Sequence, residues 1–262
     1  MLTPWLDRPG TARLLSEWSE AADLDLAYFG TTADAAEIRD TAVAQPLLTA
    51  TALFSAQDLP DVNVVCGHSV GELAALAVAG VLSPVDAIRL AAGRGRAMAE
   101  AAALAPTGMV AVLGGDEADV RVEVARLGLE LATVNVRGQL VVGGPQPALD
   151  SLSVPGARVR PLAAAGAFHT SAMSTAVPAL QSLVDGLSPR DARLPVIANA
   201  DGKALTSGRE LVQRLVAQLT GPVRFDLCLE TIAGLRPTSV VELAPAGTLT
   251  AIAKRSLSPV AA

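Results

Sequence analysis

The chain has 262 residues, of which 51% are hydrophobic and 18% are charged, and its formal net charge is −6 at pH 7. This acidic balance argues against nucleic-acid binding, which normally uses a basic face. Two cysteines and two histidines are too few for a disulfide framework or a metal centre, so we predict no bound metal. Because no apolar run has membrane-spanning length and no signal-peptide pattern is present, we expect a cytoplasmic protein without membrane contact. We also expect a monomer.

The first hundred residues are predicted to hold several helices and one buried strand. The spacing of apolar residues indicates helices over residues 11–22, 41–56, 73–79 and 84–102. Val62, Val64, Val65 and Cys66 are the apolar residues of the first predicted strand, over residues 62–66, which leads into a tight turn. Ser83 and Pro84 are typical of a helix start, with serine as the N-cap and proline at the first helical position.

The pattern changes after residue 106 to short strands and helices. They follow one another in the order βαββαβ at residues 109–113, 117–127, 129–135, 140–142, 147–152 and 157–162. This order is that of a ferredoxin-like unit. We therefore predict that residues 107–167 form a small ferredoxin-like subdomain, inserted into a larger α/β domain made of residues 1–106 and 168–262.

The last hundred residues return to longer helices separated by short strands. Predicted helices cover residues 172–187, 210–219 and 227–234, with a last one that includes Lys254 and Arg255, and predicted strands cover residues 195–199 and 239–243. Strands that alternate with helices predict an α/β fold with a mostly parallel sheet flanked by helices. The chain is long enough to bury a large core of alanine, valine and leucine.

A nucleophile-elbow motif lies between the first predicted strand and the helix after it. The motif Gly-x-Ser-x-Gly is represented by Gly67-His68-Ser69-Val70-Gly71. Strand, tight turn and helix form the context in which such a serine is raised above a sheet as a nucleophile. An alternative stays open, since Ser69 and Glu72 before an apolar run also fit a capping box, in which the serine only caps the helix.

A serine nucleophile needs a general base, which is most often histidine. His68 adjoins Ser69 in the turn, where its side chain should point away from the hydroxyl. His169 lies in a predicted loop that opens a helix, and it is therefore the candidate base. The alternative is a structural histidine without a catalytic role.

Arg94 is out of place in the predicted helix over residues 84–102. Its neighbours on the helix surface are apolar, namely Leu90, Ala91, Ala97 and Met98. An arginine in such surroundings must bind an anion or extend to water. A structural ion pair and an anionic ligand are both open on this pattern.

Several motifs together resemble the malonyl-CoA:acyl carrier protein transacylase family. Besides the serine motif followed by Glu72, the matching segments are Ala44-Gln45-Pro46, Arg94-Gly95-Arg96-Ala97-Met98, Gly108-Met109-Val110-Ala111-Val112, Asn135 with Gln139, Ala167-Phe168-His169-Thr170 and Gln218-Leu219-x-Gly221-Pro222-Val223. They occur in the family's order, and the resemblance covers essentially the whole chain.

The resemblance implies a hydrolase-like α/β domain that carries a ferredoxin-like insert, and a ping-pong acyl transfer. Ser69 would take malonyl from malonyl-CoA and pass it to the phosphopantetheine thiol of acyl carrier protein, with His169 as base and then acid. Arg94 would bind the malonyl carboxylate in a bidentate pair. The main-chain carbonyl of Gln218 would orient the histidine, and the N–H of Val70 would contribute to the oxyanion hole. No cofactor is implied, because the coenzyme A thioester is itself the substrate.

The resemblance also assigns a substrate pocket to His68, Phe168 and Met98, and Ala167-Phe168 resembles malonyl-selecting members. The sequence departs from the family at its start, where nothing matches the usual first strand and Gly-Gln-Gly-x-Gln loop. One strand and one oxyanion N–H are therefore expected to be missing, which favours a start upstream of Met1. Two alternatives remain, a serine thioesterase or esterase, and a truncated, inactive relative that binds carrier protein. The product could feed fatty-acid or polyketide synthesis.

Overall fold

The computed structural model describes residues 1–257, along which helices and short strands alternate. The α-helices are α1 (Thr11–Ala22), α2 (Leu26–Thr31), α3 (Thr41–Ser55), α4 (Gly71–Val78), α5 (Pro84–Ala103), α6 (Glu117–Arg126), α7 (Gln146–Asp150), α8 (Val177–Asp185), α9 (Gly208–Ala217), α10 (Phe225–Gly234) and α11 (Thr248–Ala253). The strands are β1 (Val65–Cys66), β2 (Thr107–Gly114), β3 (Glu130–Val136), β4 (Gln139–Pro145), β5 (Ala157–Pro161), β6 (Val196–Ile197), β7 (Ala204–Leu205) and β8 (Val223–Arg224). Short 3₁₀ segments occupy Thr3–Trp5, Glu37–Arg39, Ala56–Asp58 and Ser171–Ala176.

The strands form two mixed sheets. The first has the order β1-β6-β7, with β1 and β6 parallel and β6 and β7 antiparallel. The second has the order β5-β2-β4-β3-β8, and its neighbouring strands are antiparallel except for the parallel pair β3 and β8. The α/β class predicted from the sequence is confirmed. The sheets are mixed rather than mostly parallel, because β7 returns antiparallel to β6 and the insert consists mainly of antiparallel pairs.

The inserted segment follows the predicted ferredoxin-like order β2-α6-β3-β4-α7-β5. Its own core of valine and leucine side chains lies between the sheet and the two helices. The sheet is extended by β8, a two-residue strand from the C-terminal part of the chain that the sequence did not predict. The division into residues 107–167 and the two flanking segments stays a prediction.

Several predicted elements differ from the structure. The last helix, α11, ends at Ala253, before Lys254 and Arg255, and the first strand, β1, covers only Val65–Cys66 of the predicted residues 62–66. Residues 239–243 were predicted as a strand, but no strand among residues 1–257 pairs with them, and Val240 and Val241 are exposed. A run of β-branched residues alone cannot form a ladder without a neighbouring strand. The predicted helix over residues 172–187 begins as the 3₁₀ segment Ser171–Ala176 and continues as α8.

The largest hydrophobic core surrounds α5, which packs against α3, α4 and α8. The crossing of α5 and α3 is close because Gly95 lacks a side chain: a Cβ at Gly95 would lie 2.4 Å from the main-chain oxygen of Thr41. This close approach brings Arg94 of α5 next to Gln45 of α3. A second core contains an aromatic group in which Phe54 contacts Trp5 and Trp18.

Two further features are absent from the described residues 1–257, a membrane-spanning helix and a cluster of metal-binding side chains. No helix within residues 1–257 combines the length and the apolar composition that are needed to cross a bilayer. Over the same range, no group of three or more histidine, cysteine, aspartate or glutamate side chains is arranged to hold a metal ion.

Candidate active site

Ser69 lies in the sharp turn between β1 and α4. Its φ of +53° is in the left-handed region, where a residue with a side chain is strained by about 1–3 kcal/mol. The turn is tight because Gly67 passes the start of α4: a Cβ at Gly67 would lie 2.0 Å from the carbonyl carbon of Gly71. The capping-box alternative does not hold, since α4 has no side-chain cap and the N–H of Glu72 donates to the main-chain oxygen of Ser69.

His169 lies within hydrogen-bond distance of the serine hydroxyl. Its Nε2 is 2.7 Å from Ser69 Oγ, and its Nδ1 is 2.8 Å from the main-chain oxygen of Gln218. A carbonyl oxygen can only accept, so Nδ1 carries the proton and Nε2 is free to accept one from Ser69. Gln218 is the C-cap of α9, where main-chain carbonyls lack helical partners and can bind a side chain instead.

Burial keeps the imidazole of His169 neutral. The pKa of His169 is lowered to about 3, first because the ring is removed from water and second because the positive charge of Arg94 lies close by. A neutral imidazole is the form that a general base requires. The backbone of His169 is also left-handed, with a φ of +62°.

Arg94 points from α5 toward the same hydroxyl, and only 1% of its surface is exposed. One terminal nitrogen, Nη1, donates to Gln45 Oε1 at 2.6 Å. The other, Nη2, donates to Gln218 Oε1 at 2.9 Å and lies 3.3 Å from Ser69 Oγ.

The partners of Arg94 are neutral, which argues against a structural ion pair. Within residues 1–257 no carboxylate forms a salt bridge with Arg94, and its Nε has no hydrogen-bond partner. Burial lowers the pKa of Arg94 to about 10 against an opposing effect of the Glu72 carboxylate, which lies beyond Gln218, so the side chain stays charged at neutral pH. A buried cation without a counter-charge in direct contact is costly, and an anionic ligand would offset that cost.

His68 turns away from the serine hydroxyl, as the sequence predicts. Its Nε2 is 3.0 Å from Asn135 Oδ1 on β3, and its ring packs edge-on against Phe225, with the ring centroids 5.1 Å apart. Burial lowers the pKa of His68 below its ordinary value. This contact joins the elbow to the insert.

The remaining predicted residues have different surroundings. Phe168 is half-buried and packs against both the largest core and a small group that contains Met109 of the insert. Met98 is fully buried, and its sulfur accepts a hydrogen bond from Gln45 Nε2 at 3.3 Å, so it contacts the arginine's partner. The main-chain N–H of Val70, at the start of α4, has no hydrogen-bond partner within residues 1–257.

Comparison with known proteins assigns the family. The Acyl transferase domain family matches residues 13–261. The malonyl CoA-acyl carrier protein transacylase of Mycobacterium tuberculosis strain H37Rv is 48% identical over 273 residues, which cover 100% of this chain and 90% of the relative. This chain belongs to the malonyl CoA-acyl carrier protein transacylase family. The enzyme of the same name from Bacillus subtilis is 31% identical, over 94% of this chain and 82% of its own length.

Solved structures agree with this assignment. The crystal structure of the Mycobacterium tuberculosis transacylase has a TM-score of 0.94 at 47% identity, covering 97% of this chain and 88% of that one. A malonyl-transacylase in complex with a type II polyketide synthase carrier protein has a TM-score of 0.89 at 26% identity, covering 98% and 89%. Transacylases of this family therefore share the arrangement of helices and sheets that holds Ser69 and His169 here.

Three polar residues of the site were not assigned a role in it from the sequence. Glu72 was interpreted as a cap, Asn199 as the end of a strand, and Gln45 only as part of a family motif. Asn199 Oδ1 accepts the N–H of Ser69 at 2.7 Å, and Gln45 binds Arg94. A signal was present in each case, because each is a polar residue within an otherwise apolar, buried segment.

The arrangement can perform nucleophilic acyl transfer on an anionic acyl group. Ser69 Oγ has a neutral base on one side and a guanidinium on the other. The base can remove the hydroxyl proton, and the guanidinium can bind a carboxylate that lies close to the reacting carbon. The catalytic and binding roles of these residues remain predictions, although the structure brings them together.

Proposed function

We propose that this chain transfers malonyl from malonyl-CoA to the phosphopantetheine thiol of acyl carrier protein, through a malonyl ester on Ser69. The observation that carries the proposal is Arg94, a buried guanidinium without an ion-pair partner in residues 1–257, 3.3 Å from the nucleophile. A single methylene separates the two carbonyl carbons of malonyl, so its carboxylate must lie close to Ser69 Oγ after transfer. A neutral acyl group has no use for this cation.

The first half-reaction forms the ester. His169 Nε2 takes the proton from Ser69 Oγ, which attacks the thioester carbonyl of malonyl-CoA. The negative charge that develops on the carbonyl oxygen faces the N–H of Val70, and one such donor contributes about 3–4 kcal/mol in comparable enzymes. The carbon–sulfur bond then breaks, and the leaving coenzyme A sulfur takes the proton from His169.

The second half-reaction repeats these steps in reverse with a new thiol. The pantetheine thiol of the carrier protein gives its proton to His169 and attacks the ester carbonyl. The bond to Ser69 Oγ breaks, and the serine regains its proton from His169. Coenzyme A and carrier protein present the same pantetheine arm, so one site can serve both. No cofactor is needed for any of these steps.

Intact-protein mass spectrometry tests the proposal directly. After mixing with malonyl-CoA, the protein should gain the mass of one malonyl group, and peptide mapping should place it on Ser69. Addition of holo acyl carrier protein should then move the group to the carrier. Ser69→Ala should gain no mass. A protein that stays unmodified would instead be an inactive carrier-protein binder.

The same experiment separates a transferase from a hydrolase. A serine thioesterase would release free malonate with no carrier protein present, whereas a transacylase should hold the ester until a thiol arrives. Cytoplasmic location, a monomeric state and the division of the chain at residues 107–167 are parts of the proposal that derive from the sequence. Size-exclusion chromatography with light scattering would measure the oligomeric state.

A further inference from the structure

A carboxylate lies buried behind the reacting groups. Glu72 is in the first turn of α4 and is 5% exposed. Within residues 1–257 it has no salt-bridge partner and instead accepts hydrogen bonds from the N–H of Asn199 at 2.7 Å and from Gln218 Nε2 at 2.5 Å. Burying a carboxylate costs several kcal/mol, and its two neutral donors and the nearby charges of Arg94 and Arg214 offset only part of that cost. A side chain kept at such a cost suggests a role beyond packing.

The first of these two bonds leads to the nucleophile. The Asn199 main chain is held by Glu72, and its side chain binds the elbow on both sides of His68. Asn199 Oδ1 accepts the N–H of Ser69 at 2.7 Å, and Nδ2 donates to the main-chain oxygen of Gly67 at 2.6 Å. These bonds hold the left-handed backbone of Ser69 in place.

The second bond leads to the arginine. A side-chain amide has one accepting and one donating end, and a carboxylate can only accept. The donating end of Gln218 is therefore held by Glu72 and, at 3.1 Å, by Asn199 Oδ1, and Oε1 is left facing Arg94 Nη2. If Gln218 turned over, its NH₂ group would face the guanidinium, donor against donor, and Arg94 would lose a partner.

We propose that Glu72 is a positioning residue that orients two groups at once, Ser69 through Asn199 and Arg94 through Gln218. The inference rests on the proposed function, because it assigns Arg94 to the malonyl carboxylate. It adds a single buried group to which both the nucleophile and the acyl-group selectivity are linked. Burial raises the pKa of Glu72 to about 7, in keeping with a carboxylate far from water.

The variant Glu72→Gln tests both connections, to Ser69 through Asn199 and to Arg94 through Gln218, because glutamine has one accepting oxygen for the two donors. We expect kcat to fall about 10- to 100-fold for both malonyl-CoA and acetyl-CoA, through the loosened serine. We expect KM to rise at least tenfold for malonyl-CoA alone, through the displaced Arg94. Unchanged constants, or an equal loss for both substrates without a change in either KM, would overturn the proposal.

Gln218→Met removes the side-chain amide that contacts Glu72, Asn199 and Arg94. It keeps the main-chain oxygen that holds His169 and removes the amide between Glu72 and Arg94. KM for malonyl-CoA should rise as in Glu72→Gln, and kcat should fall less than in Glu72→Gln, because Glu72 still accepts the main-chain N–H of Asn199. In the double variant the two KM effects should not multiply, since both break one connection. Multiplying effects would mean that Glu72 does not act through Gln218.

Glu242→Gln is the matched control. Glu242 is also a carboxylate with several main-chain donors, accepting at 2.8 Å from Gly247, Leu249 and Thr250 at the start of α11. It lies outside the site, so both kinetic constants should stay at wild-type values even where thermal stability falls. At an equal loss of thermal stability, Glu72→Gln should change kcat and KM by more than Glu242→Gln does.

A pH profile of the wild type provides a test that needs no variant. Protonation of Glu72 allows Gln218 to turn, so KM for malonyl-CoA should rise as pH falls through about 7, and KM for acetyl-CoA should not. The charged and titratable groups around Glu72 are Arg94, Arg214 and Cys66. None of them changes charge between pH 6 and 8, because the arginines stay protonated and the pKa of Cys66 is raised well above its ordinary value. A flat profile would overturn the proposal.

The outcomes separate the inference from the function on which it rests. If the wild type forms no malonyl ester on Ser69, the proposed function fails and the inference fails with it. If the wild type forms the ester and Glu72→Gln matches it in both constants, the inference alone fails.

Discussion

Replacing Arg94 by alanine should convert a malonyl-selective site into one that prefers acetyl. The lost interaction is a buried, charge-assisted pair between a guanidinium and the malonyl carboxylate, and removing one partner of such a pair costs about 3–5 kcal/mol. This corresponds to roughly a 10²- to 10⁴-fold lower kcat/KM for malonyl-CoA. Acetyl-CoA has no carboxylate and should keep its rate or react faster, because the buried charge beside its methyl group is gone.

A second effect of Arg94→Ala follows from the electrostatics of the base. The charge of Arg94 is one cause of the low pKa of His169, so its removal should raise that pKa and make the imidazole more basic. For acetyl-CoA, the more basic imidazole adds to the gain from removing the buried charge beside the methyl group. For malonyl-CoA it cannot replace the missing carboxylate partner.

The assay is the initial rate of transfer to holo acyl carrier protein from malonyl-CoA and from acetyl-CoA. Arg89→Ala, on the same helix, is the control, because Arg89 forms an exposed pair with Asp86 at 2.7 Å and should leave both rates unchanged. An unchanged ratio of malonyl to acetyl transfer in Arg94→Ala would refute the assignment of the carboxylate to this guanidinium.

Two further predictions concern stability. His169 has a folded-state pKa of about 3 against an ordinary 6.5, so the unfolded chain binds the extra proton and stability is lost as pH falls from 6.5 toward 3. Denaturant unfolding should show the stability of wild type relative to His169→Gln rising by about 1 kcal/mol per pH unit from pH 5 to 6.5; a constant difference would contradict the assignment. Gly95→Ala should lower the unfolding free energy by about 1–3 kcal/mol, since its Cβ would lie 2.4 Å from the main chain of α3, whereas Gly234→Ala, with nothing within 4 Å, should not.

The opposite sign applies to Glu72 and affects the choice of pH for these measurements. Its pKa is raised from 4.5 to about 7, so the folded chain holds the extra proton and stability is lost as pH rises through that interval. Between pH 4.5 and 6.5 the contributions of Glu72 and His169 therefore oppose each other in the wild type. The difference in unfolding free energy between wild type and a variant of one residue isolates that residue's contribution, which the wild-type curve alone does not.

Much of the fold could be predicted from the sequence because local patterns specify it. The helices and the βαββαβ order of the insert follow from apolar spacing and turn residues that lie close together in the chain. The strand predicted at residues 239–243 was wrong because strand formation depends on a neighbour, which local pattern does not reveal. The two-residue strand β8 was missed for the complementary reason, since only its pairing with β3 defines it.

In the candidate site, too, local patterns identify some features, while others depend on residues far apart in the chain. Ser69 could be singled out by the motif, His169 by its scarcity and Arg94 by its apolar neighbours. The links between them could not, since Asn199 is 130 residues from Ser69, and Gln218 is 146 residues from Glu72. Which end of an amide faces which partner depends on the assembled site and on no local pattern.

The small strand β8 has a consequence for how substrates are admitted. It pairs with β3 of the insert at Thr133 and Val134, and the N–H of Arg224 donates to the main-chain oxygen of Asn199 at 2.7 Å. Movement of the insert away from β8 would therefore break main-chain bonds next to Asn199, whose side-chain Oδ1 accepts the N–H of Ser69. We therefore expect the insert to stay in place during the reaction, so that acyl groups are selected by residues already positioned around Ser69. Acylation in a stopped-flow experiment should accordingly be a single phase, without a slower closing step.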